Sequence, residues 1–477
     1  MRTCLILVAG TLLGASLIAA PQNTRLADTS AATSAAAPTF YKDVLPVLQQ
    51  NCQGCHRPGE VAPMSLLTYE QARPWARAIK TAITNRQMPP WFADPSYGHF
   101  ANERRLSSRE IETINAWVDA GAPAGKESDA PSPLVFQNGW NLKPDIVIEM
   151  PKAFPIPASG TINYKYVVVK GVFTEDLWVT AAEMRPGNPK VLHHGKVWVR
   201  PPGSKWMSKA VYGEAYERES HRDIMGDNSI EEGNDILGKF NPGLGAQRFD
   251  MDGAAKFIPK GSDLVFELHY TTSGEPTADA SKLGIVLAKQ APRTRYYFHA
   301  GPTAMNLAIP AADANAEVVS EITFGEEARL VYAQPHMHLR GKDFELRVVT
   351  PDQKTTTVLK GNWNFEWQMG YQYAEPVALP KGSKLQLITH FDNSQANRFN
   401  PDPTKKIVWG PQNWDEMSNC FIGVLFPTAT APERVFLRSG PSLLPRGENG
   451  PTLASFSQVD PNAVGKASNA SSGGREQ

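Results

Sequence analysis

A chain of 477 residues with 48 basic and 48 acidic side chains has no net charge, which excludes the basic surplus of a nucleic-acid binder. Its length suits about three domains, and 37 Gly with 39 Pro favour a turn-rich, β-dominated body over a helical one. The N-terminus reads as a secretory signal peptide at 1–20: Arg2 supplies the positive start and residues 5–20 an apolar run of suitable length. Cleavage would deliver a periplasmic or secreted protein. The alternative is a retained membrane anchor at 5–20, for which the run is short. Residues 21–37, rich in Ala, Ser and Thr, read as a flexible spacer.

Residues 38–125 are predicted helical. Phe40, Val44, Leu45 and Leu48 recur at helical spacing, a second helix covers 69–84, and a third starts on Ser107 with Glu110 placed for a capping box. Residues 126–139 read as a linker. From 140 onward the pattern changes to short β-branched and aromatic runs between Gly, Pro and Asn clusters, such as 164–169, 196–199, 264–270, 329–333 and 385–390. Runs of that kind suggest β-sandwiches, with a boundary near 290. Residues 448–477 have a disordered composition.

Two thiols two residues apart with His immediately after, Cys52-Gln53-Gly54-Cys55-His56, form the attachment motif of a c-type haem. The thiols bond the ring and the His ligates the iron. A zinc reading would need a second ligand pair, and no other cysteine lies nearby. Residues 38–125 resemble class I cytochrome c. The resemblance implies a downstream Met as sixth iron ligand, for which Met88 in Met88-Pro89-Pro90-Trp91 is best placed, with Met64 and His99 as alternatives.

Five further histidines fall in three clusters. His193 and His194 are adjacent, His269 ends the run Leu264-Val265-Phe266-Glu267-Leu268-His269-Tyr270, and His336 and His338 flank Met337. Residues i and i+2 of a strand share a face, so His336 and His338 can grip one ion. Adjacent His193 and His194 can do so only at a bend or strand end, which Gly195 would permit. These clusters, with Asp415-Glu416-Met417-Ser418-Asn419, resemble in kind and order the motifs of the copper type II ascorbate-dependent monooxygenases, the family of peptidylglycine α-hydroxylating and dopamine β-monooxygenase. The resemblance covers about residues 150–430 and lies in motifs rather than overall similarity. It implies one copper on His193, His194 and His269, and a second, catalytic one on His336, His338 and Met417. A thioether favours Cu(I), whereas a three-His site alone would also suit zinc. Asp415 and Glu416 are candidate outer partners of the ligands. His99, His221, His299 and His390 are expected to be structural or exposed.

The sequence departs from the family where the peptide-amidating enzyme holds its substrate's carboxylate. Gln334 stands in place of an Arg and Phe421 in place of a Tyr, so a more apolar or neutral substrate is expected than a peptide acid. The expected fold is multidomain: a small all-α cytochrome c domain at 38–125, then two all-β jelly-roll-type sandwiches at 140–290 and 291–440. The expected activity is that of a copper-dependent monooxygenase. It would hydroxylate a C–H bond of a small organic substrate with O2, fed by the first copper, the covalent haem c and a periplasmic electron donor. The alternatives are a haem and copper electron carrier without catalysis, and a zinc hydrolase.

Overall fold

Alternating apolar runs between Gly and Pro turns become antiparallel strands, and four principal sheets account for most of the chain. The computed structural model describes residues 37–437 except 61, 137–138, 172, 218–234, 242–243 and 411. The expected signal peptide at 1–20, nearly all of the spacer at 21–37, and the tail at 448–477 lie outside the described residues.

Sheet I orders Ile146–Glu149, Lys282–Leu287, Leu177–Arg185 and Gln247–Arg248, with Lys256–Ile258 also on Leu177–Arg185. Sheet II orders Ala215–Tyr216, Lys165–Val169, Asp263–Tyr270, Leu192–Arg200 and Asp235–Phe240. The two enclose one core, in which Val179, Ala182 and Leu283 of sheet I meet Val197, Phe266 and Leu268 of sheet II. Asp263–Tyr270 is the middle strand of sheet II and is buried on both faces, which is why it reads as a nearly unbroken apolar run. Sheet III orders Thr294–His299, Asn419–Pro427, Ala328–His336 and Tyr371–Leu379. Sheet IV orders Thr355–Asn362, Gly341–Val349, Lys384–Phe391, Ala316–Phe324 and Phe436–Leu437. Sheets III and IV share a second core, while Tyr332 and Phe421 of sheet III belong to the first.

The expected multidomain fold, an all-α cytochrome c domain ahead of two jelly-roll-type sandwiches, is corrected by this structure. The described residues from Pro38 form one compact unit that is predominantly antiparallel β. Its helices are few and short. Those of residues 38–125 are Leu45–Asn51, Tyr69–Ala72, Ala76–Thr84 and Ser108–Asp119. They gather a small core around Phe40, Leu48, Ile79, Ile114 and Trp117. The last helix starts on the capping box, Glu110 N donating to Ser107 Oγ and Ser107 N to Glu110 Oε2.

The segment between the third and fourth helices leaves that small core. Trp91, Ala93 and Phe100 pack into the core of sheets III and IV, Trp91 edge-on to Tyr371 with ring centres 5.0 Å apart. Isolated bridges join Ala93 to Gly361 and Phe100 to Tyr373. The physical reason is apolar area: so few short helices cannot also cover Trp91 and Phe100, and the sheets do. Trp91→Ala is therefore expected to cost about 3–5 kcal/mol and to lower one unfolding transition shared by helical and β circular-dichroism signals. A helical transition that shifts alone, with the β signal unmoved, would contradict this packing.

Candidate metal centres

His269 lies directly across the ladder from His194, so both rings leave the same face of sheet II. His193 joins them because of a β-bulge: the register passes from His194 opposite His269 to Leu192 opposite Tyr270, leaving His193 as the extra residue. The bulge, rather than Gly195, allows two adjacent histidines to converge. Gly195 serves packing instead, since a Cβ there would lie 2.5 Å from Met184 Cε.

One ring nitrogen from each of the three histidines falls within a mutual 4.8 Å. His193 Nδ1 and His194 Nδ1 are 3.1 Å apart, about the spacing of two nitrogens that share an ion at ~2.0 Å each. Tyr164, which the sequence pattern did not single out, meets His194 Nε2 with its hydroxyl oxygen at 2.8 Å, accepting the Nε2–H in the tautomer that leaves Nδ1 as the lone pair, and stacks on His269 with ring centres 4.5 Å apart. With Nε2 engaged, His194 turns Nδ1 toward the common centre. His269 Nδ1 is buried without a hydrogen-bond partner.

The second histidine pair comes from the end of Ala328–His336 and the turn beyond it. The His336 and His338 rings are 5.2 Å apart and nearly perpendicular. His336 Nδ1 donates to Gln368 Oε1 at 2.9 Å, leaving Nε2 free. His338 Nδ1 is buried without a partner. Asn419 pairs with His336 at the end of the ladder, and half-buried Met417 lies two residues before it. Glu416, fully buried, ties the two segments together. Its Oε2 accepts from His338 N (2.8 Å) and Met417 N (3.2 Å), and its Oε1 from Arg340 N (2.6 Å). Asp415 caps its own turn by accepting from Gln412 N at 3.2 Å.

Both groups lie where sheet II meets sheet III. Lys239 Nζ, on the histidine face of sheet II, donates to Gln334 Oε1 and sits 3.9 Å from the Phe421 ring centre. Lys196, directly opposite Lys239, is 5.1 Å from the same ring and bonds Glu267 at 2.7 Å. The corner with Gln334 and Phe421 thus also holds the buried Lys239 amine. Its pKa is well below the ordinary lysine value, through burial first and Lys196 second. Burial likewise holds the histidines below their ordinary range, His193 and His338 to about 4, so they are neutral at physiological pH and able to ligate.

The haem-motif residues occupy the end of Leu45–Asn51 and the turn after it. Burial raises both thiols, Cys52 to about 12. His56 Nδ1 donates to the Met64 carbonyl at 3.2 Å, which leaves Nε2 with the ring's lone pair and uses the Met64 backbone on the His56 Nδ1 side. Met88 is half-buried, ahead of the segment that leaves for the sheets. His299 is half-buried and stacked on Phe436, and His390 bonds Asp343. His221 lies outside the described residues.

No family model and no curated protein matches the chain. Solved structures overlap it loosely. Infectious bursal disease virus, Gx strain, is 11% identical over 63% of this chain and 77% of that one, with a TM-score of 0.15. PBCV-1 VP54 is 10% identical over 61% and 97%, at 0.20. The CBM22-1-CBM22-2 tandem domain of Paenibacillus barcinonensis Xyn10C is 8% identical over 60% and 80%, at 0.14. Overlaps of this order carry no argument about function.

Tyr164→Phe is expected to weaken Cu(II) or Zn(II) binding at the three-His group by about 10–100-fold, and His269→Ala to abolish it, by calorimetric titration. Unchanged affinity in Tyr164→Phe would show that the phenol does not orient His194.

Proposed function

We propose that the chain is an exported haem c and copper oxidoreductase, a monooxygenase that hydroxylates a C–H bond of a small organic substrate with O2. The observation that carries this reading is the meeting of two imidazole groups at one sheet–sheet contact, each with a buried Nδ1 that nothing in the protein satisfies. A buried ring nitrogen without a partner costs free energy, and an ion would satisfy both groups. The residues fit the implied ions: His193, His194 and His269 would hold one copper, and His336, His338 and Met417 the other. They also fit a covalent haem on Cys52 and Cys55, with His56 Nε2 as iron ligand and Met88 or Met64 as the sixth. The metals, when bound, supply one-electron redox chemistry and activation of O2.

The protein's own part is orientation and exclusion of water. Tyr164 sets the tautomer of His194, and Gln368 that of His336. Glu416 holds the backbone of His338 and Met417 in one frame. Hydroxylation consumes two electrons and two protons besides O2 and leaves one oxygen atom as water, so a reductant is required. A periplasmic donor acting through the fused haem would meet that need.

Burial of the His338 side chain favours a second reading, in which closed sites pass electrons without catalysis. Carbon monoxide binding to the reduced second site separates the two, since only an open site takes it. Elemental analysis of protein matured with haem attachment is expected to give one iron and two coppers per chain. His336→Ala and Met417→Ala should each lose about one copper and keep the three-His one. Iron without copper, even after reconstitution, would sink the monooxygenase reading.

A further inference from the structure

One strand end connects the haem-attachment motif to both histidine groups. Cys55 and Phe240 line the same cleft, about 180 Å³ in volume, together with Arg104 and Met184. Its walls are clamped. Arg57, next to His56 and buried, donates to the Gly139 carbonyl (3.2 Å) and Asn141 Oδ1 (3.1 Å) and pairs with Glu60 (2.8 Å). Glu60 also pairs with Arg185 of sheet I at 2.7 Å, and Arg185 with Glu183 at 3.1 Å. Asn141 closes the set, donating to both oxygens of Glu183 at 2.8 Å. The motif is thus held against the sheets at a fixed position.

Phe240 is the last residue of Asp235–Phe240 and is paired across the ladder with Gly195, which is bonded to His194. Its neighbour Lys239 reaches Gln334, two residues before His336. The Phe240 ring lies on the Gly195 side of sheet II, opposite the face that bears His194 and His269. The step from the cleft to the three-His group therefore crosses the Phe240–Gly195 pair and continues along the backbone to His194, while the second group is approached from Lys239 through Gln334.

We propose that Phe240 is the residue through which electrons leave the haem edge for the metal held by His193, His194 and His269. This rests on the reading given under Proposed function. In the step one electron moves: haem iron goes from ferrous to ferric, copper from cupric to cuprous, and no bond forms or breaks. The aromatic contact between Trp91 and Tyr371 leads into the core of sheets III and IV and not to the three-His strands.

The test uses full-length protein with haem and copper loaded and counted. The haem is reduced rapidly without oxygen, and its reoxidation is followed by visible absorbance. Phe240→Leu is expected to slow that phase by an order of magnitude or more, and Phe240→Trp to keep it near wild type, with haem spectrum and copper count unchanged. If Phe240→Leu fails to load copper, Phe240→Met, of similar bulk and without a π system, carries the same expectation. An unchanged rate in a fully loaded Leu or Met variant overturns the proposal, as does a loaded wild type whose haem never reduces copper. Absence of copper from the wild type would instead overturn the reading beneath it.

Discussion

Low solvent access at the contact between sheets II and III is what the candidate site depends on. His193, His194, His269, His336 and His338 all have lowered pKa values with desolvation as the first cause. Neighbouring groups push in the same direction: His269 and His193 act on His194, and His338 and Lys196 on His336. A histidine held neutral offers a lone pair rather than a second N–H. The same dryness makes each unsatisfied nitrogen expensive. The interface therefore stores an unmet demand for ligation, which a solvent-exposed histidine cluster would not.

Ligand placement is the work of backbone devices more than of the rings. At the first group a one-residue bulge turns His193 to the side of His194 and His269. At the second, one buried carboxylate accepts from three backbone N–H groups drawn from the two segments that bear His338 and Met417. Burial pushes Glu416 up to about 8 even though the three N–H donors and Arg340 act to lower it. The carboxylate is thus a tie whose strength depends on all three bonds being present. Arg340, also buried, secures the same turn from the other side through Asn393 and the Trp414 carbonyl.

The legible part of this molecule in its sequence was local. Ser107 and Glu110 mark a helix start because both halves of a capping box lie within four residues. The run ending at His269 reads as a buried strand because both its faces are covered. Convergence of the three imidazoles was read from a resemblance of motifs, and the bulge that achieves it leaves no mark in the pattern. Tyr164 was missed for a related reason: a Tyr at a strand's approach looks like any core aromatic until its hydroxyl is seen to meet His194. The fold went wrong at residues 91–100, since helical periodicity locates helices but does not say which surface buries the loop between them. Gln334 and Phe421 marked this corner in the sequence, whereas Lys239, about a hundred residues away in sequence, was not legible as its neighbour.

Joining a haem-bearing segment to a metal-binding body by a loose tether raises local concentration and leaves orientation free. The contacts here amount to something stricter. Arg57, Glu60, Arg185, Glu183 and Asn141 form a continuous chain of ion pairs and hydrogen bonds between the motif and sheet I, much of it shielded from solvent. Such a chain contributes modestly to net stability, because desolvation offsets attraction. Removing one member, however, strands the others without compensation, so the arrangement is held nearly all-or-none. The apolar segment at Trp91 and Phe100 supplies the cohesion that the charges do not. Charges that fix register and aromatic residues that supply free energy together set the cleft between Cys55 and Phe240, so its width is a property of the fold rather than of a tether.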